Sequence, residues 1–95
     1  MADKLRDDAI SARLNEMPGW SLEKEKLHRD FKFANFAEAF GFMTSAAIEA
    51  EKMDHHPEWF NVYSKVVVDL TTHSAGGVTE LDFELAKKMN RLAGD

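Results

Sequence analysis

The sequence predicts an α+β fold in the order α-β-β-α-β-β-α, with a four-stranded antiparallel sheet covered by helices on one face. Three observations carry that expectation. "NFAEAFGFMTSAAIEAEKM" spaces its apolar residues as a helix does. "WSLEKEKLHRDFKF" and "EWFNVYSKVVVDLTTH" alternate apolar and polar residues with the period of a strand covered on one side. The strand-like runs come in close pairs separated by helices, which reads as hairpins feeding one antiparallel sheet.

Each element follows from local signals. Ile10, Leu14 and Met17 recur at helical spacing and Pro18-Gly19 punctuates the run, giving a short first helix. Trp20, Leu22, Leu27, Phe31 and Phe33 then mark two strands, with a turn between residues 23 and 30 that no Asn-Gly or Asp-Gly pair pins down. Asn35 and Glu38 form a capping-box-like start to a long helix whose expected apolar face is Phe36, Phe40, Met43, Ala47 and Ala50. That helix should stop near His56, because the ring of Pro57 disfavours α geometry in the residue before it. Residues 59–63 and 65–72 are too close together for anything but an antiparallel turn. Val66, Val68 and Leu70 fall on one face there, and Lys65, Asp69, Thr71 and eventually His73 on the other. After the Gly76-Gly77 link, Thr79 and Asp82 make a second cap pair, and Leu81, Leu85, Met89 and Leu92 are the expected stripe of the last helix. Phe42 and Phe83 sit off these stripes, on the domain's own rim or at an oligomer contact.

Composition narrows the function. Ninety-five residues with 44% hydrophobic content suit a single domain spanning residues 1–95. A net charge of −5 without any basic cluster leaves little footprint for direct nucleic-acid or anionic-membrane binding. The absence of cysteine removes disulfides, thiolate metal sites and thiol catalysis together, and fits a reducing compartment. The opening "MADKLRDDAI" lacks a signal peptide's apolar stretch, and no run approaches the roughly 18 apolar residues of a membrane span, so a soluble cytoplasmic protein is expected.

His55, His56 and His73 all fall at element ends rather than inside apolar stripes, which suggests a proton-transfer site. His55, expected at the C-terminal end of the long helix with Glu51 one turn earlier, has two reasons to favour its charged form and is the candidate acid. His73 has no acidic neighbour in sequence and is the candidate base. Adjacent residues of an extended segment point to opposite sides, so His56 has a different job from His55, and Pro57 stiffens the backbone of both. A metal site built from His55, His56, His73 and Glu51 has the right ligand types but lacks any spacing that puts two imidazoles on one helix face. His28, beside Arg29, reads as a solvated strand residue, and Trp20 and Trp59 as core residues first and ligand-stacking residues second.

Taken in order, "EKMDHHPEWFNVYSKV" and "TTHSAGGVTELDFELA" resemble the pterin-4a-carbinolamine dehydratases, a family also known as the dimerization cofactor of a homeodomain transcription factor. The resemblance runs from about Trp20 to the last helix and departs at Leu81, where relatives are often basic. It implies dehydration of 4a-hydroxytetrahydropterin to quinonoid dihydropterin, completing the cofactor cycle of aromatic amino acid hydroxylases. It places catalytic roles on His55, His56, His73, Glu51 and Asp82, and substrate contacts on His55, His56, Pro57, Thr72, His73, Ser74 and Ala75, with Trp20 as a further candidate. It also implies dimers or tetramers, and an alternative role as a protein-interaction module acting as a transcriptional coactivator. The reaction involves no redox change, so neither flavin, nicotinamide nor metal is expected as a cofactor. On this reading His55 is the principal acid, tuned by Glu51; His73 is the base; His56 orients substrate or is a second acid; and Asp82 orients a histidine or holds a loop.

Overall fold

The chain builds α1 (Asp7–Leu14), β1 (Ser21–Glu23), β2 (Lys26–Lys32), α2 (Phe36–Met53), β3 (Glu58–Val62), β4 (Lys65–Leu70) and α3 (Glu80–Leu92), with a 3-10 turn over His73–Ala75. This is the expected order of elements. The computed structural model describes residues 2–94, so Met1 and Asp95 of the expected 1–95 unit lie outside the described residues. All strand pairs are antiparallel and the sheet runs β1-β2-β4-β3, which makes β4 central and β3 an edge.

Alternation decides which face of the sheet is covered. Val66, Val68 and Leu70 of β4 and Leu27 and Phe31 of β2 are buried under the helices, while Lys26, His28, Asp30, Lys65 and Asp69 point to the open side. The first hairpin closes through Lys24 and Glu25, both with positive φ (51° and 63°), the geometry of a tight two-residue turn made without glycine. Gly19 takes φ 87°, a conformation glycine adopts without strain, and a Cβ there would lie 2.7 Å from the Arg29 side chain, which would have to shift.

The helix caps form as expected, but the buried faces differ. Asn35 accepts from the Glu38 N–H at 2.9 Å to start α2. The buried stripe of α2 is Ala39, Phe42, Ala46 and Ala50, whereas Phe36 and Phe40 are 53% and 54% exposed and Ala47 also faces outward. Two apolar stripes compete on this helix, and packing selects the one with small side chains, because alanines let α2 approach α3 and β4 closely. Phe42 is the bulky insertion in that stripe, its ring 4.7 Å from Phe31 and 5.0 Å from Phe33, so it is core rather than rim. Phe83 is likewise wholly buried, with the Arg13 guanidinium 4.3 Å above its ring. In α3, Leu85 and Met89 are buried as expected, but Leu81 is half-buried and Leu92 is exposed. Their places are taken by Asp82, Phe83, Ala86 and Asn90.

Helix α2 ends at Met53, earlier than the proline rule alone implies. Asp54 turns into the left-handed region (φ 53°), and the N–H groups of Asp54 and His55 bond back to the carbonyls of Glu51 and Ala50 at 3.1 and 3.0 Å. This Schellman closure satisfies the last carbonyls and releases His55, His56 and Pro57 as an irregular segment leading into β3.

Candidate active site

Three histidines flank the Leu70 end of the central strand, and each has its own carboxylate. His55 is buried, and its Nε2–H donates to Asp82 Oδ1 at 2.6 Å. His56 is exposed and its Nε2 lies 2.8 Å from Glu51 Oε1. His73, the first residue of the 3-10 turn, is exposed and its Nε2 lies 2.9 Å from Glu58 Oε2. The expected partnership of Glu51 with His55 is therefore replaced. The early end of α2 swings His55 toward α3, leaving the following histidine beside Glu51.

Asp82 organises the interior of this region. It is fully buried, and both oxygens are used: Oδ1 by His55, Oδ2 by the Thr79 backbone N–H at 2.8 Å and the Thr72 hydroxyl at 2.9 Å. Thr79 caps α3, accepting from the Leu81 N–H at 3.2 Å, and the Thr72 and Thr79 hydroxyls meet at 2.8 Å. The expected N-cap role of Asp82 and its expected hold on a histidine are thus one arrangement, a capping box with a spare oxygen. Thr72, anticipated as a substrate contact, turns its hydroxyl inward to this network.

Two links tie the segment 55–58 to the segment 72–73. One runs His55–Asp82–Thr72, the other joins Glu58 directly to His73. Pro57 is half-buried between them, and Ser74 and Ala75 complete the 3-10 turn. His73 borders a recess of about 240 Å³ lined by Lys24, Glu25, Lys26, Thr71, Gly76 and Gly77. That recess includes neither His55 nor His56.

Trp20 lies elsewhere. Its indole N–H donates to Asn90 Oδ1 at 2.7 Å and its ring meets Phe31 edge-on, 5.9 Å between centroids. Phe31 pairs with Val66, about 13 Å along β4 from the Leu70 end. Trp20 is a core residue, and its candidacy as a substrate contact is not supported by this placement. Trp59 is half-buried against the core.

Sequence reading missed Glu58 and Lys26. Glu58 Oε1 accepts from the Lys26 ammonium at 2.6 Å, and Lys26 reaches across β4 to do so. Hydrogen bonding to Lys26 first, then to His73, holds the Glu58 carboxyl below the usual carboxylate range. The Lys26 ammonium is raised in turn, chiefly by its bond to Glu58. Strand register contained the signal: Glu58 opposes Asp69, so it shares the face on which Thr71 and His73 were expected. His28 is also no solvated bystander. It lies between Asp69 and Asp30, each at 2.9 Å, and its pKa is raised, first by the hydrogen bond to Asp69. Among the described residues no three or more His, Asp or Glu side chains gather in a metal-holding group.

Comparison with known proteins shows the family. The family model described as pterin 4 alpha carbinolamine dehydratase matches residues 3–92, and the chain belongs to that family. A protein of Solibacter usitatus, provisionally named a pterin-4-alpha-carbinolamine dehydratase, is 55% identical over 93 residues, covering 98% of each chain. One of Rhizobium johnstonii with the same provisional name is 58% identical, covering 96% of this chain and 92% of its own. A crystal structure from Brucella melitensis, titled as a transcriptional coactivator/pterin dehydratase, superposes with a TM-score of 0.94 at 50% identity, covering 97% of this chain and all of the other. Among the described residues no helix is long and apolar enough to cross a membrane.

Proposed function

We propose that this chain, acting as one unit, dehydrates 4a-hydroxytetrahydropterins to quinonoid dihydropterins in the cytoplasm and so returns the cofactor of aromatic amino acid hydroxylases to its cycle. The observation that carries the proposal is the pairing of each of the three histidines with its own carboxylate. Loss of water needs a proton delivered to the departing 4a hydroxyl as the C–O bond breaks, and a proton removed from the ring nitrogen as the C=N bond forms. Nothing is oxidised or reduced.

On this reading the roles are redistributed. Glu51, the reason for choosing His55 as the acid, stands beside His56, where it can carry the countercharge of a protonated ring exposed to solvent. His56 is therefore assigned as the acid. His73, open to the same side as the recess, is the base. His55, buried and fixed by Asp82, orients the bicyclic ring, with Pro57 and the turn through Ser74 and Ala75 shaping the edge of the site. Stopped-flow dehydration of a 4a-hydroxytetrahydropterin is the test. His56→Ala and His73→Ala should each slow turnover by about 10²–10⁴-fold, the usual worth of a positioned acid or base. Near-parent rates in both would overturn the assignment.

The exposed apolar residues support a second reading alongside the first. Phe36, Phe40 and Ile48 protrude from α2, and the edge strand β3 exposes Phe60 and Val62, followed by Tyr63. We propose that these surfaces serve a homodimer or tetramer, and that the α2 face is where a coactivator role through protein contacts would be exercised. Sedimentation equilibrium of the parent and of Phe36→Glu/Phe40→Glu is the check. A parent that is a monomer at all concentrations would refute it.

A further inference from the structure

We infer that Glu58 is the positioning residue of His73, clamped by Lys26 so that the ring presents Nδ1 to the substrate; the inference rests on the dehydratase reading for its kinetic arm. Glu58 is the first residue of β3, and its two oxygens are divided between two donors, Lys26 Nζ at 2.6 Å and His73 Nε2 at 2.9 Å. A carboxylate so placed is an acceptor only, so the nitrogen of His73 facing it must carry the hydrogen. The lone pair is then left on Nδ1, the nitrogen turned away from Glu58. This fixes which atom can take a proton, and it provides a negative partner for the imidazolium formed when it does.

Lys26 makes the clamp tenable. Glu58 stands directly opposite Asp69 across the β3/β4 ladder, two like charges that would repel. The ammonium reaching over from β2 offsets that repulsion and favours the ionised form of Glu58, in line with the lowered carboxyl described above. Lys26 and His73 also line the same recess, so the clamp forms one wall of the space beside the base. His73 is itself exposed, and its bond to Glu58 is the contact that orients its ring.

The experiment has an arm that does not use activity. At about pH 9, well above the ordinary imidazole range, long-range proton–nitrogen correlation spectra of the ¹⁵N-labelled protein should show His73 with hydrogen on Nε2 alone. In Glu58→Ala the two ring-nitrogen signals should move toward one another as both tautomers become populated, and Glu58→Gln, which keeps an acceptor oxygen, should restore the parent pattern. In dehydration assays Glu58→Ala should lower kcat roughly 10–100-fold with little change in KM, the cost of a misplaced reacting group. Lys26→Met should cost about 3–10-fold in the parent and nothing further in the Glu58→Ala background, because it acts through Glu58. Unchanged nitrogen signals in Glu58→Ala, or an equal cost of Lys26→Met in both backgrounds, would overturn the clamp. A parent that dehydrates no pterin would overturn the activity while leaving the nitrogen signals to decide the clamp.

Discussion

Replacing Asp82 with alanine should remove about 3–5 kcal/mol of stability, the usual cost of stripping one partner from a buried, hydrogen-bonded charge network. The figure follows from what would be left behind. The Thr79 N–H at 2.8 Å, the Thr72 hydroxyl at 2.9 Å and the His55 Nε2–H at 2.6 Å would lose their acceptor in a place where Asp82 now has no solvent exposure. Each bond to a charged group is worth about 1.5–3 kcal/mol, and their sum overstates the loss because the three share one side chain. Asp82→Asn should cost less, about 2–3 kcal/mol, since one oxygen survives while the other becomes a donor facing donors. Thr72→Val, which deletes one member of the network, should cost about 1–2 kcal/mol. Thermal unfolding followed by circular dichroism reads the series, each kcal/mol being worth about 4–8 °C for a domain of this size. Should the alanine variant fail to fold, the asparagine and valine variants still give the order. An Asp82→Asn protein melting within about 0.5 kcal/mol of the parent, the range of an ordinary surface change, would refute the reasoning.

Three other outcomes are expected. The raised pKa of His28 means that its pairing with Asp69 stabilises the fold fully below about pH 6.5 and that this contribution is lost as the pH rises through the raised value. Solvent screening limits it to about 0.5–1 kcal/mol, so urea midpoints compared at pH 6 and pH 9 should converge between parent and His28→Gln on the alkaline side. Asp54→Gly should stabilise the protein by up to about 1 kcal/mol in urea titrations, because glycine occupies the left-handed closure of α2 without a Cβ. Finally, since both proton transfers are assigned to imidazoles, exhaustive chelation should leave the dehydration rate unchanged, and stoichiometric zinc by elemental analysis would contradict that assignment.

Local rules carried the fold and non-local contacts carried the site. Val66, Val68 and Leu70 announced the covered face of β4, and the Asn35 and Thr79 caps announced where two helices begin, because each signal depends on residues a few positions apart. The phase of α2 was not legible: Phe36 and Phe40 trace as good an apolar line as Ala39, Phe42, Ala46 and Ala50, and only the partner surface chooses between them. The gathering of histidines at element ends was visible, yet their carboxylates were not. Glu51 is nearer in sequence to His55 than to His56, yet the left-handed Asp54 gives it to His56 by ending the helix early. Glu58 escaped because its bond to His73 spans fifteen residues and depends on strand register.

One side chain, Asp82, both starts the final helix and steadies the ring of His55. On the proposed dehydration, a descendant of this chain that abandoned that chemistry for adhesion could discard His56 or His73 at little expense to its architecture, since both are exposed. Asp82 would have to persist, or be replaced by another residue able to satisfy the same three donors. Its survival in an inactive cousin would therefore report on scaffolding, and the peripheral pair would be the better witnesses to surviving turnover.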